Sequence, residues 1–158
     1  MRARDIMTRE PGVVTPNDPI SHAAAMMQER DVGIIPVVDD LKTMQLVGVL
    51  TDRDIAVRCV ASQHLPACDV RLHMSGEHLC TVAPDDDVST VLALMTHDRV
   101  RRIPVVAEDN RLIGMISQAD LATKVGPQSP LEVEKVLESV SVRQSHAQAD
   151  GAHSAARE

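Results

Sequence analysis

The chain repeats itself, and that duplication limits the folds open to it more than any other feature. Val14-Thr15-Pro16 is followed by Ile34-Ile35-Pro36-Val37-Val38, and the same pair of landmarks returns as Val82-Ala83-Pro84 and Arg102-Ile103-Pro104-Val105-Val106. Leu46-Val47-Gly48-Val49-Leu50-Thr51-Asp52-Arg53-Asp54-Ile55 recurs as Leu112-Ile113-Gly114-Met115-Ile116-Ser117-Gln118-Ala119-Asp120-Leu121. The spacing between copies changes by two residues within a polar stretch, Asp39 to Gln45 in one copy and Ala107 to Arg111 in the other. A surface turn is where such a change is tolerated.

Each copy reads β-α-β-β-α. A β-branched start (Val13-Val14; Thr81-Val82) ends at a proline and an acidic turn. A helix follows, with Ile20, Ala23, Ala24 and Met27 on one face, matched by Val88, Val91, Leu92 and Met95. Asp18 and Asp87 are candidate caps for these helices. Two short apolar runs, 34–38 and 46–50, read as strands of a hairpin or short return, covered on both faces or nearly so, and a second helix begins at Thr51 or Ser117. One copy alone has a small core, so the expected fold is mixed (α/β, in the α+β sense), with two copies packed sheet to sheet about a pseudo-twofold axis. The expected boundaries are 3–60 and 75–124 for the copies, 61–74 for the linker, 125–141 for a short amphipathic helix carrying Leu131, Val133, Val136, Leu137 and Val140, and 142–158 for a disordered tail.

Composition excludes several classes of function. A net charge of −7 repels phosphate backbones, and the absence of Phe, Tyr and Trp removes the stacking platforms that hold single strands. No nucleic-acid partner is expected. There is no apolar run long enough to cross a membrane and no apolar signal core near Met1, so a cytoplasmic protein without membrane contact is expected. Three cysteines are too few for a secreted disulfide framework.

The ordered set Asp5-Ile6-Met7, Ile35-Pro36-Val37-Val38 and Gly48-Val49-Leu50-Thr51-Asp52-Arg53-Asp54, with its second-copy counterparts, resembles cystathionine-β-synthase (CBS) domains paired as a Bateman module. The whole pattern is also similar to stand-alone two-repeat proteins, among them hypoxic-response proteins. The resemblance implies a regulatory module that binds an adenosine-containing ligand (AMP, ADP, ATP or S-adenosylmethionine) between the repeats. It also implies self-association into dimers.

In that family a Gly-apolar-x-Ser/Thr-x-x-Asp motif lines each cleft. The matching residues here are Gly48, Thr51 and Asp54, then Gly114, Ser117 and Asp120. The carboxylates suit ribose hydroxyls, and the hydroxyl with free amides at a helix start suits phosphate. Adenine is expected near Ile35-Pro36 or Ile103-Pro104, its edge read by backbone around Val13, Thr15 or Thr81. Arg101 and Arg102 are expected on ligand phosphates, grouped with the second copy's Ser117 and Asp120. The competing reading is that Thr51-x-x-Asp54 and Ser117-x-x-Asp120 are capping boxes, which need no ligand.

Cys59, His64, Cys68, His73, His78 and Cys80 cluster between the copies, but their spacings match no Cys-x-x-Cys or His-Glu-x-x-His pattern. No metal and no resident cofactor are therefore expected. Nor does the chain carry a Gly-x-Ser-x-Gly elbow, a phosphate loop with lysine or a Gly-x-Gly-x-x-Gly turn, so catalysis is not expected. The alternatives to a nucleotide sensor are a ligand-free structural or stress-related interaction protein and a redox- or metal-responsive one.

Overall fold

A computed structural model describes residues 1–141; the tail expected to be disordered, 142–158, lies outside the described residues. The chain opens with a single helical turn, α1 (Ala3–Ile6), and a two-residue strand, β1 (Thr8–Arg9). The first copy continues with α2 (Ile20–Arg30), β2 (Ile34–Val38), β3 (Leu46–Thr51) and the turn α3 (Asp52–Asp54), which runs on as a π-helix over Ile55–Val60. After a 3₁₀ turn at Val70–Leu72 come α4 (Val88–Asp98), β4 (Arg102–Val106), β5 (Leu112–Ser117) and α5 (Gln118–Asp120). The last of these also widens into a π-helix, Leu121–Val125, and α6 (Pro130–Ser141) ends the described chain.

Both expected hairpins form: β2 pairs antiparallel with β3, and β4 with β5, each with a register shift before its last pair. The first strand of each copy shrinks to one parallel bridge, Val14 to Val37 and Val82 to Val105. Prolines at 16, 36, 84 and 104 lack the N–H that would extend the ladder. Burial on β2 is nearly continuous, whereas β3 alternates, so only part of the first hairpin is covered on both faces.

Asp18 does not cap α2. Pro19 occupies that position, and the Asp18 carboxylate instead accepts from the Thr15 N–H at 2.6 Å and Oγ1 at 3.1 Å, closing the preceding turn. Asp86 does the same for the Ala83 N–H at 2.8 Å. Asp87 sits at the start of α4 without a side-chain cap and pairs with Arg2. Helices α2 and α4 each end on a left-handed residue that is not glycine, Asp31 at φ 51° and Arg99 at φ 52°.

The copies exchange their leading segments. Although α1 and β1 precede the first copy, Ala3, Ile6 and Met7 lie in the second copy's core, and β1 adds to β5 through Thr8–Met115 and Arg9–Gly114 pairing. Conversely, the segment preceding the second copy buries Val70 in the first copy's core and bridges Ser75 to Val49. The glycines of the two motifs allow this. A Cβ at Gly48 would lie 2.9 Å from the Ser75 carbonyl oxygen, and one at Gly114 would lie 3.0 Å from that of Thr8.

Between the two cores a third apolar group, Val38, Leu46 and Leu112, joins the copies. There the Leu46 N–H donates to the Asn110 carbonyl at 3.1 Å and the Leu112 N–H to that of Met44 at 2.8 Å, a reciprocal pair that reflects the twofold relation. α6 buries Val133, Val136 and Val140 against the second copy and leaves Leu131 exposed.

Candidate functional site between the repeats

Both Ser/Thr-x-x-Asp segments are complete capping boxes. Thr51 Oγ1 accepts from the Asp54 N–H at 3.0 Å, and Asp54 Oδ2 accepts from the Thr51 N–H at 3.0 Å. In the second copy Ser117 Oγ accepts from the Asp120 N–H at 3.2 Å, and Asp120 Oδ2 accepts from the Ser117 N–H at 2.8 Å. One carboxylate oxygen is thus committed to the fold in each copy.

The other oxygen faces a cation one helical turn on. Asp54 Oδ1 lies 3.5 Å from Arg58 Nε, and Arg58 Nη1 donates to the His73 carbonyl at 3.2 Å. Asp120 Oδ1 lies 2.8 Å from Lys124 Nζ, which also donates to the Ile6 carbonyl at 2.6 Å. In each copy the cation therefore ties the motif carboxylate to the exchanged segment. Sequence reasoning passed over Lys124, although an acid-to-base spacing of four on a helix, present in both copies, signals it. Burial pushes the Asp120 carboxyl up, but hydrogen bonds from Lys124 and Ser117 outweigh it and hold the group below the ordinary aspartate value.

At the junction of the copies lies an open cleft of about 1070 Å³. The first copy contributes Gly33, Ile34, Val49, Thr51, Asp52 and Arg53, and the second contributes Asp98, Arg99, Val100, Arg101, Arg102 and Pro104. The connecting residues Ser75 and Glu77 to Cys80 form its remaining wall. Four arginines face three carboxylates there, so the cleft is locally basic on a chain that is acidic overall. Burial, then the Asp98 carboxylate, pushes the Cys80 thiol up to about 12, so it is protonated and unreactive at neutral pH.

Of the residues singled out from sequence, this cleft brings together Thr51, Arg101, Arg102 and Pro104. The grouping is wider than the expected one: Arg101 and Arg102 line a cleft with the first copy's Thr51, while Arg102 also stands directly across the β4–β5 ladder from Ser117. Ile35 and Ile103 are 1% and 0% exposed and belong to the two cores. Strand alternation turns Ile34, not Ile35, toward the cleft. Pro36 is buried, Val13 packs at the joint between copies, and Thr15 is held in its turn by Asp18. Asp54, Thr81, Ser117 and Asp120 are half-buried outside the cleft lining.

Two copies of one α+β unit with exchanged edges and a basic cleft between them define a paired-repeat regulatory module. The CBS domain model matches residues 3–60 and 70–126, and the chain belongs to the CBS domain family. It is 38% identical over 119 residues to the CBS domain-containing protein YhcV of Bacillus subtilis, covering 75% of this chain and 81% of that one. A crystal structure of Hypoxic Response Protein I with two coordinated zinc ions matches with TM-score 0.68 and 32% identity, over 77% of this chain and 97% of that one. The crystal structure of CBSX2 in complex with AMP matches with TM-score 0.67 and 25% identity, over 78% of this chain and 95% of that one. Among the described residues no helix is long and apolar enough to cross a membrane.

Proposed function

We propose that this chain is a cytoplasmic sensor that binds an adenosine-containing ligand (AMP, ADP, ATP or S-adenosylmethionine) in the cleft between its repeats and acts by binding rather than catalysis. The observation that carries this reading is the convergence, across the repeat boundary, of the capped Thr51 turn with Arg99, Arg101 and Arg102. Guanidinium groups match phosphate oxygens in fork geometry, while Ile34 and Val49 offer adenine an aliphatic wall in a chain that has no aromatic residue. The AMP bound to the structurally similar CBSX2 is consistent with a ligand of this size and chemistry.

A ligand can act only through unequal affinity for two arrangements of the protein. One that touches both copies favours the arrangement in which they are clamped, and self-association or a protein partner reads this out. Val57 and Val60, 52% and 66% exposed on the π-helix after α3, give the module an apolar surface for a second copy. The relation to a hypoxic-response protein suggests a role under stress.

A thermal-denaturation panel with AMP, ADP, ATP and S-adenosylmethionine tests the proposal, followed by dye or calorimetry because the chain lacks Tyr and Trp. A ligand at about 100 times its dissociation constant stabilises by roughly 2.7 kcal/mol. The double variant Arg101→Ala/Arg102→Ala is expected to lose most of that gain for phosphate-bearing ligands. An unchanged transition with all four compounds would refute the sensor reading in favour of a ligand-free interaction protein.

A further inference from the structure

Away from the inter-repeat cleft, the fold divides the central Cys/His cluster in two. His78 and Cys80 line the cleft, while Cys59, His64, Cys68 and His73 converge behind the first copy. Cys59 Sγ lies 3.8 Å from Cys68 Sγ, Cys68 Sγ lies 3.1 Å from His73 Nε2, and His73 Nε2 lies 3.4 Å from His64 Nδ1. The donor atoms of Cys59, Cys68 and His73 all fall within 4.8 Å of one another. A tetrahedral zinc-type ion with metal–sulfur bonds of about 2.3 Å and metal–nitrogen bonds of about 2.0–2.1 Å has edges of about 3.8 Å between sulfurs, about 3.5 Å between sulfur and nitrogen, and about 3.3 Å between nitrogens. The three contact separations lie within about half an ångström of the corresponding edges. The His64 ring touches the group through His73 only, stands outside the set of donors within 4.8 Å, and must turn inward to complete the tetrahedron.

The pseudo-twofold relation supplies an internal control. Residues equivalent to Cys59 and His73 in the other half are Val125 and Ile6, both buried aliphatics at 4% and 1% exposure. The fold therefore fills these two positions with ordinary core side chains, and the first half replaces them with a thiol and an imidazole. His73 is itself 1% exposed, and among the described residues its ring nitrogen Nε2 meets only cluster members. Burial, then the neighbouring His64 and Arg58, lowers the His73 pKa, which favours the neutral ring that ligates metals.

We propose that Cys59, His64, Cys68 and His73 form a closed tetrahedral site for one thiolate- and imidazole-preferring divalent ion of the zinc class. Four protein ligands leave no open position, so the role is structural. The ion fastens the π-helix after α3 to the 61–74 connector, and binding releases the two thiol protons to solvent. His64 is exposed and Cys68 half-buried, which gives the ion a path in. Through the His73 carbonyl, which accepts from Arg58, the clip also steadies the cation that faces Asp54.

Cobalt titration of the full-length, tag-free chain, stripped with chelator under reducing conditions, tests this directly. The expected result is about one Co²⁺ per chain, with a sulfur-to-cobalt charge-transfer band, intense tetrahedral d–d bands and displacement by Zn²⁺. Cys68→Ser and, as an exposed position that leaves the core intact, His64→Ala should each weaken Co²⁺ affinity at least about tenfold, while Cys80→Ser leaves it unchanged. Circular dichroism confirms that the variants fold. Absence of the bands in the wild-type chain, bands that survive in both Cys68→Ser and His64→Ala, or a metal-free Cys59–Cys68 disulfide in protein isolated without reductant would overturn the proposal.

Discussion

Asp120 shows how one side chain serves two masters at the residue scale. Its Oδ2 completes the cap on Ser117, and its Oδ1 holds Lys124, so the carboxylate stabilises the start of the helix whatever the cleft contains. Removing a capping side chain of this kind costs about 1 kcal/mol, and Asp120→Ala is expected to lower stability by that order in urea unfolding. The pH dependence has a definite sign. The folded-state pKa lies below the unfolded one, so the contribution is fully present above the unfolded value of about 3.9 and is lost as pH falls through the folded value. The difference between wild type and Asp120→Asn should therefore shrink as the solution is acidified below about pH 4. A difference that stays constant into strong acid would show that the carboxylate's charge plays no part.

At the scale of elements, the exchange of leading segments is the feature that the repeats alone did not announce. Periodicity located α2, α4 and both hairpins, and the doubled Ser/Thr-x-x-Asp pattern located the two caps. Nothing in the local pattern of Ala3–Ile6 says which copy's core will receive Ile6, because that choice is a long-range packing outcome. For the same reason the sequence did not show that Arg101 and Arg102 share a cleft with the first copy's Thr51, a neighbour brought in across the repeat boundary. Strand phase was equally hidden at Ile34-Ile35, where two identical side chains take opposite faces. Gly114→Ala places a methyl against Met7 Sδ at 2.5 Å and the Thr8 carbonyl oxygen at 3.0 Å. Overpacking of this kind costs about 1–3 kcal/mol, and hydrogen exchange should show β1 detaching from β5 in that variant. Ile6→Ala, expected to cost about 2–5 kcal/mol, should expose amides of the second copy rather than the first, although residue 6 precedes the first.

For the molecule as a whole, the two halves share a backbone plan and differ in chemistry. Where the second half has aliphatic Val125 and Ile6, the first has Cys59 and His73; where the second has Arg99, Arg101 and Arg102 along the cleft, the equivalent residues of the first are Asp31, Gly33 and Ile34. The duplicated fold thus lines the shared cleft with the arginines and places Cys59, His64, Cys68 and His73 outside that lining. This asymmetry predicts that nucleotide affinity depends on the second half's arginines and survives Cys59→Ser or Cys68→Ser, provided those variants fold; calorimetric titration with AMP checks it. Loss of AMP binding in folded Cys68→Ser would mean that the two regions are coupled.

The absence of Phe, Tyr and Trp makes the central claim open to one direct measurement. In methyl-labelled protein an adenine ring brings a strong source of ring-current shifts into a chain otherwise free of aromatic residues apart from histidine. Adding AMP should move the methyl resonances of Ile34 and Val49, which line the cleft, and leave those of Val136 and Leu131 on α6 in place. Methyl shifts confined to α6, or no shifts at saturating AMP, would contradict a nucleotide seated between the repeats.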